Sequence, residues 1–119
     1  MDDMERQFFL GFIKIHILYH ASREPVYGVW LMEELGRHGY RPSPGTLYPI
    51  LHSLEKQGYL ESYREAVTGK VRRYYSITAL GGKALDTAVE RINEMVDEVL
   101  HDREPRTAGR GSRRGGSAS

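Results

Sequence analysis

The sequence predicts a mainly α fold with one small β-hairpin, a winged helix-turn-helix carrying a long C-terminal dimerisation helix. Three observations carry that reading. A capped amphipathic helix over residues 43–58 follows a shorter helix after a brief turn, the element order of a helix-turn-helix. Two stretches rich in aromatic and β-branched residues, 59–65 and 71–77, flank Thr68-Gly69-Lys70 as the strands of a hairpin would. Beyond Thr78 an apolar heptad stripe persists for more than two heptads.

The first helix is expected over residues 5–20. Phe8, Phe12, Ile15 and Tyr19 form one stripe, and Phe9, Ile13 and Ile17 form another. A helix apolar almost all round needs two covering surfaces, and in so small a chain one of them is expected to come from a second subunit. Ser22-Arg23-Glu24-Pro25 reads as a turn, because proline disfavours helix at the residue before it. A second helix follows from about Val26 to His38, with Leu31 and Leu35 as its core positions and Gly39 as its end. Tyr40-Arg41-Pro42 then crosses to the third helix.

That third helix has the clearest local grammar. Ser43 suits an N-cap, and Pro44 suits the first helical position with its fixed φ and missing N–H. Leu47, Ile50, Leu51 and Leu54 keep the i, i+3, i+4, i+7 spacing of one buried stripe, and Gly58 is placed to stop the helix in the left-handed region. Pro49 costs a backbone bond to Gly45 but lies early enough to be tolerated. After the hairpin, Thr78 caps a fourth helix through roughly His101, striped by Leu85, Ala88, Val89, Ile92, Met95, Val96, Val99 and Leu100. A helix of about 23 residues spans about 35 Å, longer than a small winged unit can cover, which favours a dimer seam. The expected organisation is a winged helix-turn-helix over 1–77, a dimerisation helix over 78–102 and a disordered Arg/Gly/Ser tail over 103–119.

Composition excludes several function classes. With 119 residues the chain holds one domain at most, and the absence of cysteine removes disulfides, thiolate zinc sites and thiol nucleophiles. The apolar run from Phe8 to Tyr19 contains Lys14 and His16 and is too short to cross a bilayer. Asp2, Asp3 and Glu5 precede it where a secretory signal carries positive charge, so a cytoplasmic protein is expected. The net charge of +1 conceals a division: residues 103–119 carry +4 and the other 102 carry −3. A DNA-binding role therefore requires positive charge gathered on one face. No activated nucleophile, phosphate-cradling loop or paired catalytic carboxylates suggests an enzyme.

The outward side of the third helix carries Ser43, Gly45, Thr46, Tyr48, His52, Ser53 and Lys56, residues that are small, hydrogen-bonding or cationic. Such a face suits close approach to a DNA groove, with His52 and Lys56 extending the contact. Lys70, Arg72 and Arg73 cluster toward the hairpin tip and its return strand, with Arg64 opposite, as phosphate or minor-groove contacts would. Glu34 and His38 stand at i, i+4 on the second helix, and His20 lies near the end of the first. Together they could hold zinc or a similar divalent ion as an effector, with no cofactor required for folding; the alternative is a weak local His–Glu pair. Phe8, Phe12 and Trp30, with Tyr27, could line an effector pocket, although packing explains Trp30 as well. The tail could add a salt-dependent DNA arm or serve as a solubilising extension.

Linked motifs in the right order resemble the PadR family of bacterial transcriptional regulators over about residues 8–85. They are Val26-Tyr27-Gly28, Ser43-Pro44-Gly45-Thr46-Leu47-Tyr48-Pro49, Leu54-Glu55-Lys56-Gln57-Gly58-Tyr59-Leu60, and Arg72-Arg73-Tyr74-Tyr75-Ser76-Ile77-Thr78 with Gly81 after it. The resemblance implies a homodimeric repressor whose fourth helix packs against the partner's first and whose operator affinity responds to a small aromatic or cationic effector. The chain looks like the short branch of that family. The expected function is thus an effector-responsive regulator reading a pseudo-palindromic operator on double-stranded DNA with helix 43–58 and the 59–77 wing. The competing reading is an effector- or metal-binding dimeric interaction module without operator binding.

Overall fold

Capping sets the start of the first helix. In the computed structural model, which describes residues 2–102, α1 spans Asp3–Arg23. The Asp2 carboxylate accepts from the Glu5 N–H at 2.8 Å, and the Glu5 side chain accepts from the Asp2 N–H at 3.2 Å. This capping box begins the helix two residues before the expected position 5, with Asp3 and Glu5 favourably placed against its dipole. At the other end the helix continues to Arg23, through half of the expected turn, and stops where Pro25 forces Glu24 into extended backbone at φ −168°.

Helix α2 spans Gly28–Arg37, so its expected start at Val26 is corrected. Val26 forms a single β-bridge: its N–H donates to the Tyr75 carbonyl at 2.9 Å and its carbonyl accepts from the Tyr75 N–H at 2.7 Å. A β-branched residue favours extended backbone and pairs with the hairpin edge more readily than it starts a helix. Helix α3 spans Pro44–Lys56, with Gly58 at φ +85° as anticipated. Its cap differs from expectation. The Ser43 hydroxyl makes no bond to the first-turn N–H groups and lies 3.4 Å from the Thr46 hydroxyl.

Strands β1 (Leu60–Val67) and β2 (Lys70–Ile77) pair antiparallel with Leu60 opposite Ile77 and Val67 opposite Lys70. The turn is therefore two residues, Thr68 and Gly69, at φ +49° and +80°; Lys70 belongs to the strand. Positive φ at both positions gives the primed twist that suits a right-handed hairpin. The expected strands were shorter because Ala66 and Val67 lack a clear alternation; ladder pairing extends them regardless.

One core joins these elements. Ile13, Ile17, Leu18 and Ala21 of α1 meet Leu31 and Leu35 of α2, Leu47, Ile50, Leu51 and Leu54 of α3, and Val26, Leu60 and Tyr75. At the close of the wing the Thr78 hydroxyl donates to the Gly58 carbonyl and accepts from the Gly81 N–H at 3.0 Å. Thr78 thus caps α4 (Ala79–Met95) while tying its start to the end of α3. The chain divides into two compact units after Leu85, so the first turns of α4 go with the winged unit. From Asp86 on, the heptad-stripe residues of the second unit are half-buried or exposed, and the α-helix gives way to a π-helical turn, Val96–His101. The expected uninterrupted stripe to His101 therefore changes its angular spacing after Met95. The anticipated 103–119 tail lies outside the described residues.

Thr68 is a β-branched residue held at positive φ, a conformation that asparagine adopts with less strain. Thr68→Asn is expected to raise unfolding stability by about 1 kcal/mol in urea titration, with an unchanged denaturant slope.

Candidate nucleic-acid interface and histidine cluster

With its four leucine and isoleucine anchors buried, α3 turns Ser43, Gly45, Tyr48, His52 and Lys56 outward, and Thr46 is half-buried beside them. No acid stands in its first turn. Tyr48 is positioned from behind. Its ring and hydroxyl lie where a Cβ on Gly28 would be, so the absence of a side chain at the start of α2 seats the tyrosine. The outward face thus combines hydroxyls, a glycine that permits close approach and two nitrogen-bearing side chains.

The wing arginines do not form the single cluster expected from their spacing. In an antiparallel ladder, opposite residues share a face and alternate residues do not. Arg73 lies opposite Arg64 on the face that also bears Leu60, Ser62 and Tyr75, whereas Arg72 lies opposite Glu65 on the other face. Arg72 is stacked 4.0 Å above the Tyr27 ring and reaches the Tyr74 hydroxyl at 3.5 Å. That bond to Tyr74 holds its guanidinium above its usual pKa, against burial. Tyr74 in turn packs edge-on to Tyr27 and stacks on Tyr63, with ring centroids 5.5 Å apart in each pair. Arg73 instead donates to the Ser62 hydroxyl at 2.9 Å, and that hydroxyl donates to Glu55 of α3 at 2.7 Å. Lys70 is exposed at the tip. Neither the Ser62 link nor the Tyr27 stack could be anticipated before the strand register was known.

The second constellation lies between α1 and α2. His20, Glu34 and His38 each offer a ligand atom within 4.8 Å of the others. The Glu34 Oε2 atom is 3.2 Å from His38 Nε2 and 3.6 Å from His20 Nε2, while Arg37 donates to Glu34 Oε1 at 2.7 Å. Burial, with the charges of His38, Arg23 and Arg37, outweighs the pull of Glu34, so the His20 imidazole sits below its ordinary pKa. Burial raises the pKa of Glu34, but the hydrogen bond from His38 and the charges of Arg37 and His20 outweigh it, so its carboxyl falls below the usual range. The His20 Nε2 atom is buried and lacks a hydrogen-bond partner. At 3.6 Å this nitrogen is too far from Glu34 Oε2 for a hydrogen bond, while an imidazole nitrogen beside a carboxylate oxygen suits a shared divalent ion. His16 stacks on both His38 and His20 at centroid distances of 5.2 and 6.2 Å but is not one of the three converging groups.

Trp30 packs edge-on against His20 at 5.3 Å and against the core. Phe8 and Phe12 stack on each other at 6.1 Å along α1 and are largely exposed. No ring contact joins Trp30 to either phenylalanine among the described residues, so the three expected pocket residues are not gathered. Tyr27, associated with them by its aromatic character, faces Arg72 instead.

Residues 17–87 match the model of the Transcriptional regulator PadR-like family. The chain is 46% identical over 107 residues to Transcriptional regulator Rv3488 of Mycobacterium tuberculosis, covering 90% of this chain and 99% of that protein. A PadR family transcriptional regulator from Eggerthella lenta superposes with a TM-score of 0.75 at 31% identity, covering 87% of this chain and 91% of that one. A PadR-like transcriptional regulator from Bacillus cereus gives 0.66 at 32% identity over 79% and 96%.

The seat of Tyr48 on Gly28 yields a direct test. Gly28→Ala places a methyl where the tyrosine ring lies and is expected to cost about 1–3 kcal/mol in denaturant unfolding. Combining it with Tyr48→Ala should remove most of that added cost.

Proposed function

The chain belongs to the PadR-like family of transcriptional regulators, and we propose that it acts as a homodimeric, effector-responsive repressor of a pseudo-palindromic operator. It is a DNA-binding regulator and not an enzyme. The observation that carries the reading of its operator contact is the outer face of α3, where Ser43, Gly45, Thr46, Tyr48, His52 and Lys56 stand opposite a fully packed apolar stripe. That face enters the major groove, and the wing follows the adjacent phosphates.

The dimer reading is supported by apolar surface left uncovered. Met4, Phe8, Phe12 and Tyr19 are exposed on α1, and Val89 and Met95 on α4, with Val99 and Leu100 in the π-helical turn beyond it. A twofold assembly burying the α1 and α4 faces between protomers sets two α3 helices about one DNA turn apart.

A divalent metal is the effector class that a specific observation favours. His20, Glu34 and His38 suit zinc or a similar ion, and the orphaned His20 Nε2 atom gains a partner when one binds. Glu34 sits on α2 and His38 is its C-cap, and the start of this helix seats Tyr48, so a bound ion acts on the element directly behind α3. A tenfold change in operator affinity needs only about 1.4 kcal/mol of differential binding between two dimer states.

Operator binding is checked with a duplex selected from a random pool by the wild-type protein. Footprinting should protect two related half-sites about one turn apart, and Tyr48→Ala should weaken binding by about 1–3 kcal/mol. Failure of the pool to enrich, or a mutant that binds like wild type, favours the interaction-module alternative.

For the metal, calorimetry with zinc, cadmium and nickel should show binding to the wild type that His20→Ala and His38→Ala each abolish or weaken by at least tenfold. Equal heats from all three proteins reject these ligands.

A further inference from the structure

The face of the wing that adjoins α3 carries an arrangement that costs stability in the free protein. Arg64 and Arg73 are direct cross-strand partners on one face of the hairpin, and like charges placed opposite each other destabilise a ladder. The Arg64 side chain is exposed, with no hydrogen bond or ion pair among the described residues. Arg73 is held by a relay: its Nη1 donates to the Ser62 hydroxyl at 2.9 Å, and that hydroxyl donates to Glu55 Oε2 at 2.7 Å. The serine oxygen thus accepts from the wing and donates to α3, which fixes its proton and makes it a two-way coupler. The relay also lies on the side of α3 that bears Tyr48. Burial raises the pKa of the Tyr75 hydroxyl, while Arg73 opposes that shift and Glu55 and Tyr48 add to it, so all three surround the same ring.

We propose that Glu55 and Ser62 are positioning residues that aim Arg73 so that it completes, with Arg64, a two-guanidinium clamp for one DNA backbone phosphate between the wing and α3. The proposal rests on the DNA-binding reading and extends it from the expected basic residues to two that carry no positive charge. A phosphate between the guanidiniums removes their mutual repulsion and satisfies donors that the free protein leaves to solvent. Among the described residues Glu55 is the one acid hydrogen-bonded to this face, and the relay uses it to orient a cation rather than leaving it to repel the approaching backbone. Arg72 is not part of the clamp, being stacked on Tyr27 on the opposite face.

The test uses the full chain and the duplex it selects from a random pool, with fluorescence anisotropy titrations over a range of salt concentrations. Arg64→Ala and Arg73→Ala should each lower the log–log salt slope by about one, and Arg64→Ala should leave the melting temperature equal or higher. Ser62→Val and Ser62→Thr have nearly the same shape and differ in the hydroxyl. Ser62→Thr should bind as wild type, whereas Ser62→Val should weaken binding severalfold. That loss should vanish when Ser62→Val is made in the Arg73→Ala background, because the serine acts through Arg73. Glu55→Gln should show the same dependence on Arg73. Equal binding by the Val and Thr variants, additive losses with Arg73→Ala, or unchanged salt slopes in the arginine variants would overturn the clamp while leaving operator recognition standing. A wild type that enriches no duplex overturns both.

Discussion

Burial of one stripe on α3 fixes the face that this helix presents. Leu47, Leu51 and Leu54 are at most 2% exposed and Ile50 only 7%, so the helix has one rotational setting about its own axis. Each such side chain contributes about 1.5–3 kcal/mol on burial, so a rotation that exposed even two of them would cost more than solvent-facing contacts return. The outward positions of Tyr48, His52 and Lys56 follow from that constraint. The same stripe receives Ile13 and Ile17 of α1 and Leu31 and Leu35 of α2, so the reading helix and its scaffold share one core.

The wing is fastened to this core at three places by different chemistry. The backbone bridge from Val26 to Tyr75 joins it to the entry of α2, the Glu55–Ser62–Arg73 relay joins it to the far side of α3, and Thr78 joins its exit to Gly58. A two-stranded hairpin alone is marginal in water, so these attachments, more than its own ladder, determine where it points. On its other face, Tyr63, Tyr74, Tyr27 and Arg72 form a stacked layer that gives the thin sheet a second packed side.

Most of the backbone was legible because it obeys local rules. Pro44 at the first position of α3, Gly58 in the left-handed region and Thr78 capping α4 all act within a few residues of themselves, and each stands where its chemistry indicated. What escaped was set by contacts distant in sequence. Val26 looked like the first residue of a helix because its bridge partner, Tyr75, lies 49 positions away. Arg72 and Arg73 looked like one cluster because adjacency in sequence says nothing of the face a strand residue takes until its register is known. Phe8, Phe12 and Trp30 shared aromatic character, yet Trp30 packs beside His20 at the opposite end of α1. The histidine cluster was the partial exception: an i, i+4 pair on one helix and a single histidine at the end of its neighbour suffice to suggest convergence, though not the orphaned nitrogen.

Helix α1 links the two surfaces whose roles are still proposals. Phe8, Phe12, His16 and His20 recur every four residues, so they form one ladder along a single face. Its upper rungs are exposed phenylalanines suited to a partner subunit; its lower rungs are imidazoles, the last of them beside Glu34. Tyr40 bridges the two chemistries, packing 6.2 Å from Phe12 and 5.3 Å from His16. An ion drawing His20 toward Glu34 would therefore act on the same helix face that the proposed dimer covers. Packed rungs have few intermediate arrangements, because side chains in close contact shift between discrete rotamers rather than deforming smoothly. In the proposed dimer a ligand at the base of the ladder would not need to reach the DNA-binding surface to alter it: changing how α1 meets the partner's fourth helix would change the spacing of the two α3 helices.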